Sequence, residues 1–133
     1  MAHKSRMGVI VIDCRADDLE EAARFWSSTL GYEAQFDPDF PDYVQLNTPE
    51  GHIKLLLQAV SHDSRLHMDI ETDDRAAERE RLLALGATVV SEVDEEEAGK
   101  HWTIMEAPTG HRFCLVKPQS EDFGMSANQW GHG

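Results

Sequence analysis

Three side chains capable of acid–base or metal chemistry stand on two short apolar segments of this sequence. Asp13 lies near the end of GVIVIDC, and His67 and Asp69 stand two residues apart in RLHMDIE. Imidazole titrates near neutral pH, so His67 is a candidate general base or metal ligand, and carboxylates can assist in either role. Asp13 and Asp69 also have a purely structural interpretation, in which they accept hydrogen bonds from loop amides at strand ends.

The two segments open two copies of one repeated pattern. IDCRADDLEEAARFWSSTLGYE matches MDIETDDRAAERERLLALGATV, with Asp13 aligned to Asp69 at a separation of 56. Further on, TPEGHIKLLL matches APTGHRFCLV at a separation of 59. Each copy predicts a strand, a helix and three strands. The three later strands are expected near 33–37, 42–47 and 52–58, and again near 87–93, 101–106 and 111–117.

The helix of each copy has recognisable end signals. Asp17 is the expected N-cap of the first helix, and Gly31 stands where a C-terminal glycine is typical. The second helix is expected from Asp73 or Asp74 to Gly86. A helix on one face of a small sheet leaves the other face uncovered, so two copies predict a shared cup whose inner wall is the site. Two aromatic residues of the first helix are expected in the core: Phe25 and Trp26.

The composition narrows the class of partner. The chain has 133 residues, with 12 basic and 25 acidic side chains and a formal net charge of −13. This charge repels nucleic acid and anionic membrane surfaces, and it favours cationic small molecules. Two cysteines are too few for a disulfide scaffold, and the sequence shows neither an apolar leader nor a long apolar run. We therefore expect a cytoplasmic protein with no nucleic-acid or membrane partner.

The repeat and three segments within it resemble one known superfamily. The segments are ARFWSSTLGYE, LHMDIETDD and APTGHRFCLVKP, and together they resemble the vicinal oxygen chelate superfamily of glyoxalase I, bleomycin-resistance proteins, fosfomycin-resistance enzymes and extradiol dioxygenases. The resemblance implies an α+β fold of two tandem βαβββ modules that form a cup-shaped mixed sheet, and it implies a homodimer.

The resemblance also suggests how the chain is organised. A single glyoxalase-like domain is expected over 7–118, with module one at 7–60 and module two at 65–118. Residues 1–6 are expected to be a disordered tail, because they are polar. The C-terminal tail, 119–133, carries Phe123, Met125 and Trp130. We expect these apolar groups to fasten the tail across the domain or a partner subunit, and the alternative is a loose end.

Four metal-ligand positions are implied by the resemblance, and two of them carry hydrocarbon. They fall on His67 and Cys114 in the second copy and on Val11 and Leu55 in the first. A catalytic metal site normally needs three protein ligands, and a cysteine in an apolar strand more often packs as a small hydrophobe. No cofactor is therefore expected. The alternative is a divalent metal held by altered ligands, such as a displaced set of His67, Asp69 and Asp13.

The predicted inner wall mixes apolar and polar groups, as small-molecule sites do. We predict a small-molecule-binding protein with a largely lost metal site that sequesters a cationic or aromatic ligand. The alternative is a metal-dependent lyase, isomerase or dioxygenase with altered ligands, in which His67 is a ligand or a general base. The predicted ligand-binding residues are Val11, Asp13, Leu55, His67, Asp69, Trp102, Arg112 and Cys114.

Overall fold

The predicted strand and helix order is present in the computed structural model of the chain. The structure describes residues 2–131. Residues 1, 132 and 133, at the ends of the two predicted tails, lie outside the described residues. The elements are β1 (His3–Arg15), α1 (Glu20–Leu30), β2 (Ala34–Phe36), β3 (Tyr43–Leu46), β4 (Lys54–Val60), β5 (Arg65–Thr72), α2 (Arg75–Ala84), β6 (Thr88–Glu95), β7 (Lys100–Glu106), β8 (Arg112–Val116), α3 (Phe123–Ser126) and β9 (Asn128–Trp130). Two successive βαβββ patterns, β1 to β4 and β5 to β8, confirm the predicted α+β class.

The chain divides into two compact units. The first unit comprises residues 9–67, and the second comprises residues 2–8 together with 68–131. β1 contributes to both units, as does β5. Among the described residues, no helix combines the length and the apolar character of a membrane span.

The first unit is a small sheet with α1 on one face. Its strand order is β2-β3-β4-β1, in which β4 runs parallel to β1 and antiparallel to β3. The core lies between this sheet and α1, where full burial of an aliphatic side chain stabilises the fold by roughly 1.5–3 kcal/mol. Its buried members are Ile12, Cys14, Leu19, Ala23, Val44, Leu46 and Leu57.

The ends of α1 agree only in part with the sequence signals. Gly31 adopts a left-handed conformation (φ 78°) and donates its N–H to the Ser27 carbonyl, as predicted for a C-terminal glycine. The expected N-cap at Asp17 is wrong, because α1 begins at Glu20. The Asp18 carboxylate instead accepts the Glu20 N–H at 3.0 Å.

The two aromatic residues of α1 have different environments. Trp26 is half-buried and packs against the core. Phe25 is 60% exposed, so its predicted core position is wrong. The two rings meet edge to face, with centroids 5.1 Å apart. α1 therefore presents an aromatic surface outside the core of the first unit.

The second unit repeats the layout of the first. Its strand order is β5-β8-β7-β6, with β8 parallel to β5 and antiparallel to β7. Asp74 caps α2 by accepting the Ala77 N–H at 3.0 Å, which confirms one of the two expected start points. The core comprises Ala87, Met105 and Leu115 with the partly buried Ile70, Leu82 and Phe113.

Both ends of the described chain are ordered within the second unit. Residues 3–6, which the sequence suggested were a loose tail, form the start of β1. β9 pairs antiparallel with this segment, with His3 opposite Trp130. The Trp130 indole donates to Ser5 Oγ at 2.7 Å, and the Arg81 guanidinium lies 3.9 Å from the centre of its ring. The C-terminal segment thus packs on its own chain, as expected for a fastened tail.

Glu78 is a fully buried carboxylate in the second unit. It has 0% exposure, and it accepts hydrogen bonds from His3 at 2.8 Å and from Arg81 at 2.7 and 2.8 Å. Burial alone would raise the pKa of Glu78, but the hydrogen bonds from Arg81, His3 and Ser5 outweigh it and lower the pKa to about 2. The ionised form is therefore the one that stabilises the folded state.

Glu78→Gln should destabilise the protein by up to about 3 kcal/mol at neutral pH, because the folded pKa lies below the ordinary value of 4.5. A lowered carboxyl pKa adds stability above pH 4.5 that is lost as the pH falls towards 2. The difference between wild type and variant in urea unfolding should shrink over that range. Glu80→Gln, on the exposed side of the same helix, is the control. A comparable loss in Glu80→Gln, or a pH-independent difference for Glu78→Gln, would contradict this account.

Candidate functional site

The sheet face turned away from α1 carries a group of polar side chains on β1, β3 and β4. Residues paired across neighbouring strands share a face. Ile12 pairs with Leu57 on the α1 side, so the next pair, Asp13 with Gln58, lies on the opposite side. We call this opposite side the polar face. Its members on β1, β3 and β4 are Val11, Asp13, Tyr43, Gln45, Leu56 and Gln58.

Asp13 and His67 form the central contact of the polar face. The Asp13 Oδ2 atom lies 2.8 Å from His67 Nδ1. The side chains are only 2% and 12% exposed, respectively. A buried carboxylate is costly unless it is paired, and a carboxylate partner fixes the orientation of an imidazole ring. The sequence named both residues as site candidates, and folding brings them into direct contact.

The second carboxylate oxygen of Asp13, Oδ1, forms no hydrogen bond with the described residues. Arg65 Nε lies 3.8 Å from Oδ2, the oxygen that already contacts His67. Oδ1 is buried and has no hydrogen-bond partner among residues 2–131. Buried polar atoms in native proteins usually have a partner. This oxygen is therefore a feature that the fold alone does not explain.

A second polar pair lies beside the first. Gln58 is opposite Asp13 in the pairing of β1 with β4. Its Nε2 atom donates to the Tyr43 hydroxyl at 3.2 Å. Neighbouring strands lie about 4.8 Å apart, so the two pairs form one polar patch. Neither Gln58 nor Tyr43 was predicted from the sequence.

The prediction that Leu55 lines the site is wrong. Leu55 packs against the core on the α1 side. The turn motifs of the two copies align at a separation of 59, but the strands align differently. Asp13 pairs with Gln58 and Asp69 pairs with Cys114, so both strand positions repeat at 56. The two separations differ by an odd number, and an odd shift turns a side chain to the other face.

This correction changes the metal-ligand positions that the resemblance implies. Gln58, not Leu55, is the first-unit counterpart of Cys114, and its amide oxygen is a weak donor. Val11 is hydrocarbon, and Asp13 already contacts Nδ1 of His67. Within residues 9–67, all of which the structure describes, no three His, Cys, Asp or Glu side chains bring ligand atoms together. At the positions of Val11 and Gln58 the first unit therefore lacks strong metal donors.

The remaining predicted site residues lie on the second unit. Asp69 is opposite Cys114, and Cys114 is opposite Ile104. Trp102 stands two residues before Ile104, so it shares their face, which is turned away from the core side of Leu115. Arg112 lies on the same face and donates to Glu106 at 3.0 Å. The shared face agrees with the predicted strand alternation, and the ligand-binding role of these residues stays a prediction.

The sequence did contain a signal for Gln58, which the turn-based alignment missed. The strand openings of the two copies repeat at 56, and applying that separation to Cys114 gives Gln58. The turn glycines, Gly51 and Gly110, gave 59 because Gly51 precedes Gln58 by 7 residues, whereas Gly110 precedes Cys114 by 4. Alignment on turns therefore missed the residue that alignment on strands would have found.

Comparison with known proteins identifies the fold. A family model described as a glyoxalase-like domain matches residues 9–116. A methylmalonyl-CoA epimerase structure is similar at 16% identity and TM-score 0.55, over 86% of this chain and 95% of that one. A Streptomyces coelicolor methylmalonyl-CoA epimerase variant is similar at 20% identity and TM-score 0.54, over 86% and 98% of the two chains.

A third similar structure is much longer than this chain. It is a variant of homoprotocatechuate 2,3-dioxygenase from B. fuscum, at 16% identity and TM-score 0.59, over 86% of this chain and 32% of that one. No curated protein matches the sequence. At these identities the three similarities show a shared fold only. The chemistry of this chain has to be inferred from the side chains of its candidate site.

The contact with Asp13 should fix the tautomer of neutral His67. A carboxylate only accepts hydrogen bonds, so the proton of the neutral ring should sit on Nδ1. Long-range ¹H–¹⁵N correlation spectra should show this tautomer for His67, and Asp13→Asn should weaken the preference. The exposed His52 is the internal control. A His67 signal that matches the His52 pattern in wild type would contradict the contact.

Proposed function

The chain belongs to the glyoxalase-like domain family, within the vicinal oxygen chelate superfamily, and we propose that it binds a small molecule on the polar face of its first unit. The observation that carries this proposal is the contact between the buried Asp13 carboxylate and His67. Of the residues predicted earlier, Asp69, Trp102, Arg112 and Cys114 remain proposed ligand-binding residues on the second unit.

The make-up of the polar face supports ligand binding. Small-molecule sites combine apolar surface with a few oriented polar groups. The half-buried Leu56 supplies the apolar part, and the pairs Asp13–His67 and Gln58–Tyr43 supply oriented hydrogen-bonding groups. Such preorientation lowers the entropy cost of binding. The net charge of −13 favours a cationic or aromatic ligand over an anionic one.

The proposal does not require a metal. Val11 offers no ligand atom, and Gln58 offers only an amide oxygen, whereas a catalytic metal site normally keeps three protein ligands. The polar groups of the first unit suffice to contact a ligand by hydrogen bonding. We therefore propose binding without a family-type metal in this unit.

Assembly and location are further parts of the proposal. β2 ends the strand order of the first unit and β6 ends that of the second, and unpaired strand edges favour association with another chain. We propose a cytoplasmic homodimer on this basis and on the two-cysteine content. The acidic charge argues against nucleic-acid and membrane partners.

Replacing His67 should remove the ligand. In native mass spectra of gently purified protein, we expect a dimer that retains a small molecule and no stoichiometric metal. His67→Ala should lose the retained molecule, because the variant lacks the imidazole contact and leaves Asp13 without its partner. His52→Ala, which changes an exposed histidine of the same unit, should retain it. A stoichiometric transition metal, or full retention by His67→Ala, would refute the proposal.

The same contact favours a second candidate function, proton transfer. A carboxylate on Nδ1 orients the ring and stabilises the imidazolium that forms when Nε2 accepts a proton. His67 would then remove a proton from an acidic carbon, and return of a proton to the opposite face of that carbon would invert the stereocentre. Two of the similar structures are methylmalonyl-CoA epimerases by name, so acidic C–H groups beside a thioester are the first substrates to test.

Proton transfer can be measured as deuterium uptake. In D₂O, the wild type should catalyse exchange at the acidic carbon of methylmalonyl-CoA or a related thioester, followed by ¹H NMR. His67→Ala should reduce the rate about 10²- to 10⁴-fold, the usual contribution of a general base. His52→Ala should keep the full rate. Equal exchange in wild type and His67→Ala would exclude this role and leave the binding proposal to stand alone.

A further inference from the structure

A groove runs along α1 at the end of β1, within the first unit. It encloses about 870 Å³ and is open to solvent on one side. Three segments form it: the end of β1 with the loop that follows, the first two turns of α1, and residues 64–66. We call it the α1 groove. It goes beyond the proposed function, because the polar face lies on the side of the sheet turned away from α1.

Apolar side chains form one wall of the α1 groove. Phe25 is 60% exposed and Leu66 is 63% exposed, and both line the groove beside Trp26 and Ala22. The edge-to-face contact of Phe25 with Trp26 presents two aromatic rings together. Apolar groups gathered in a concave surface are typical of binding sites, whereas isolated ones are ordinary surface.

Carboxylates form the rim. Asp17, Asp18 and Glu21 line the groove and are exposed, and none of them forms an ion pair with a residue in 2–131. The two basic groups present are already engaged: Arg15 lies 3.0 Å from Asp63, and Arg65 lies 3.8 Å from Asp13. The unpaired charge of the rim is therefore negative.

One buried carboxylate, that of Asp13, is shared between the groove lining and the polar face. Asp13 lines the groove as well, and its side chain is 2% exposed. Its Oδ2 atom contacts His67, while its Oδ1 atom has no hydrogen-bond partner among the described residues. A buried, unpaired carboxylate oxygen is costly. Because the pairing of β1 with β4 places this side chain on the polar face, its unpaired oxygen points to a ligand there, and the groove depends on its apolar wall and its rim carboxylates alone.

We infer that the α1 groove binds a small organic cation with an aromatic or alkyl body. The apolar wall matches the body, the faces of Trp26 and Phe25 suit a cation by cation–π attraction, and the rim carboxylates supply the opposite charge. An anion would be repelled by the same rim. The mixed wall does not suit an inorganic cation, which prefers a set of converging oxygen ligands.

Benzyltrimethylammonium is a suitable probe, with benzenesulfonate as the matched anion. ¹H–¹⁵N spectra of the whole protein should show shifts around 17–26 on addition of the ammonium and none on addition of the sulfonate. Phe25→Ala should weaken binding about three- to tenfold, the size expected for loss of one aromatic contact. Phe40→Ala, which removes an equally exposed ring (60%) elsewhere in the first unit, should leave affinity unchanged.

Charge variants separate the groove from the general acidity of the chain. The combination Asp17→Asn, Asp18→Asn and Glu21→Gln should weaken binding about three- to tenfold, as expected when three exposed opposite charges are removed. The combination Glu95→Gln, Glu96→Gln and Glu97→Gln makes the same change in net charge at exposed positions far along the chain. It should retain wild-type affinity. Equal weakening by both triple variants, or no weakening by the groove variants, would overturn the inference.

His67→Ala distinguishes this site from the polar face. The variant should still bind benzyltrimethylammonium in the α1 groove, even if it loses the molecule retained on the polar face. The inference would be overturned if His67→Ala lost the probe while Phe25→Ala and the triple variant of the rim carboxylates bound it normally. That result would assign the cation to the polar face. Melting curves of each variant confirm that the first unit remains folded.

Discussion

The contact between Asp13 and His67 is the interaction on which the first unit's chemistry depends. A carboxylate with 2% exposure would be strongly unfavourable without a partner, and the imidazole 2.8 Å away supplies one. The same contact fixes the orientation of the ring and makes Nε2 the nitrogen that would meet a ligand or accept a proton. Gln58 and Tyr43 extend the polar patch from the neighbouring strands. The proposed binding and the proposed proton transfer would therefore use the same preoriented group.

Asp13 also links two surfaces of the first unit. Its Oδ2 atom belongs to the polar face, while the residue itself lines the α1 groove with an Oδ1 atom that lacks a partner in the described chain. Its position at the end of β1 explains the double role, because the strand there gives way to the loop that leads into α1. The Asp13 carboxylate itself holds the imidazole of His67 on the polar face.

The similar structures share the fold and differ in chemistry by name, as an epimerase and a dioxygenase. This agrees with the general rule that one fold supports many reactions through the residues grafted on it. The second unit has its own network, in which the buried Glu78 joins α2 to the start of β1 through His3. That network stabilises the fold without contributing a group to the polar face of residues 9–67. The binding and proton transfer proposed for this chain depend mainly on a few side chains of the first unit.

The sequence alone determined the repeated βαβββ order and the α+β class, because hydrophobic alternation and helix end signals are local properties. The family resemblance added the ligand positions His67 and Cys114 to the candidates Asp13 and Asp69. The sequence failed where distant residues decide the outcome. Leu55 faces the core and Gln58 faces the site because pairing with β1 sets the register of β4, whereas the turn motifs suggested a shift by an odd number. Phe25 is exposed because the sheet covers only one side of α1. The 2.8 Å contact of Asp13 with His67 joins residues 54 positions apart, and only the packing of strands could bring them together.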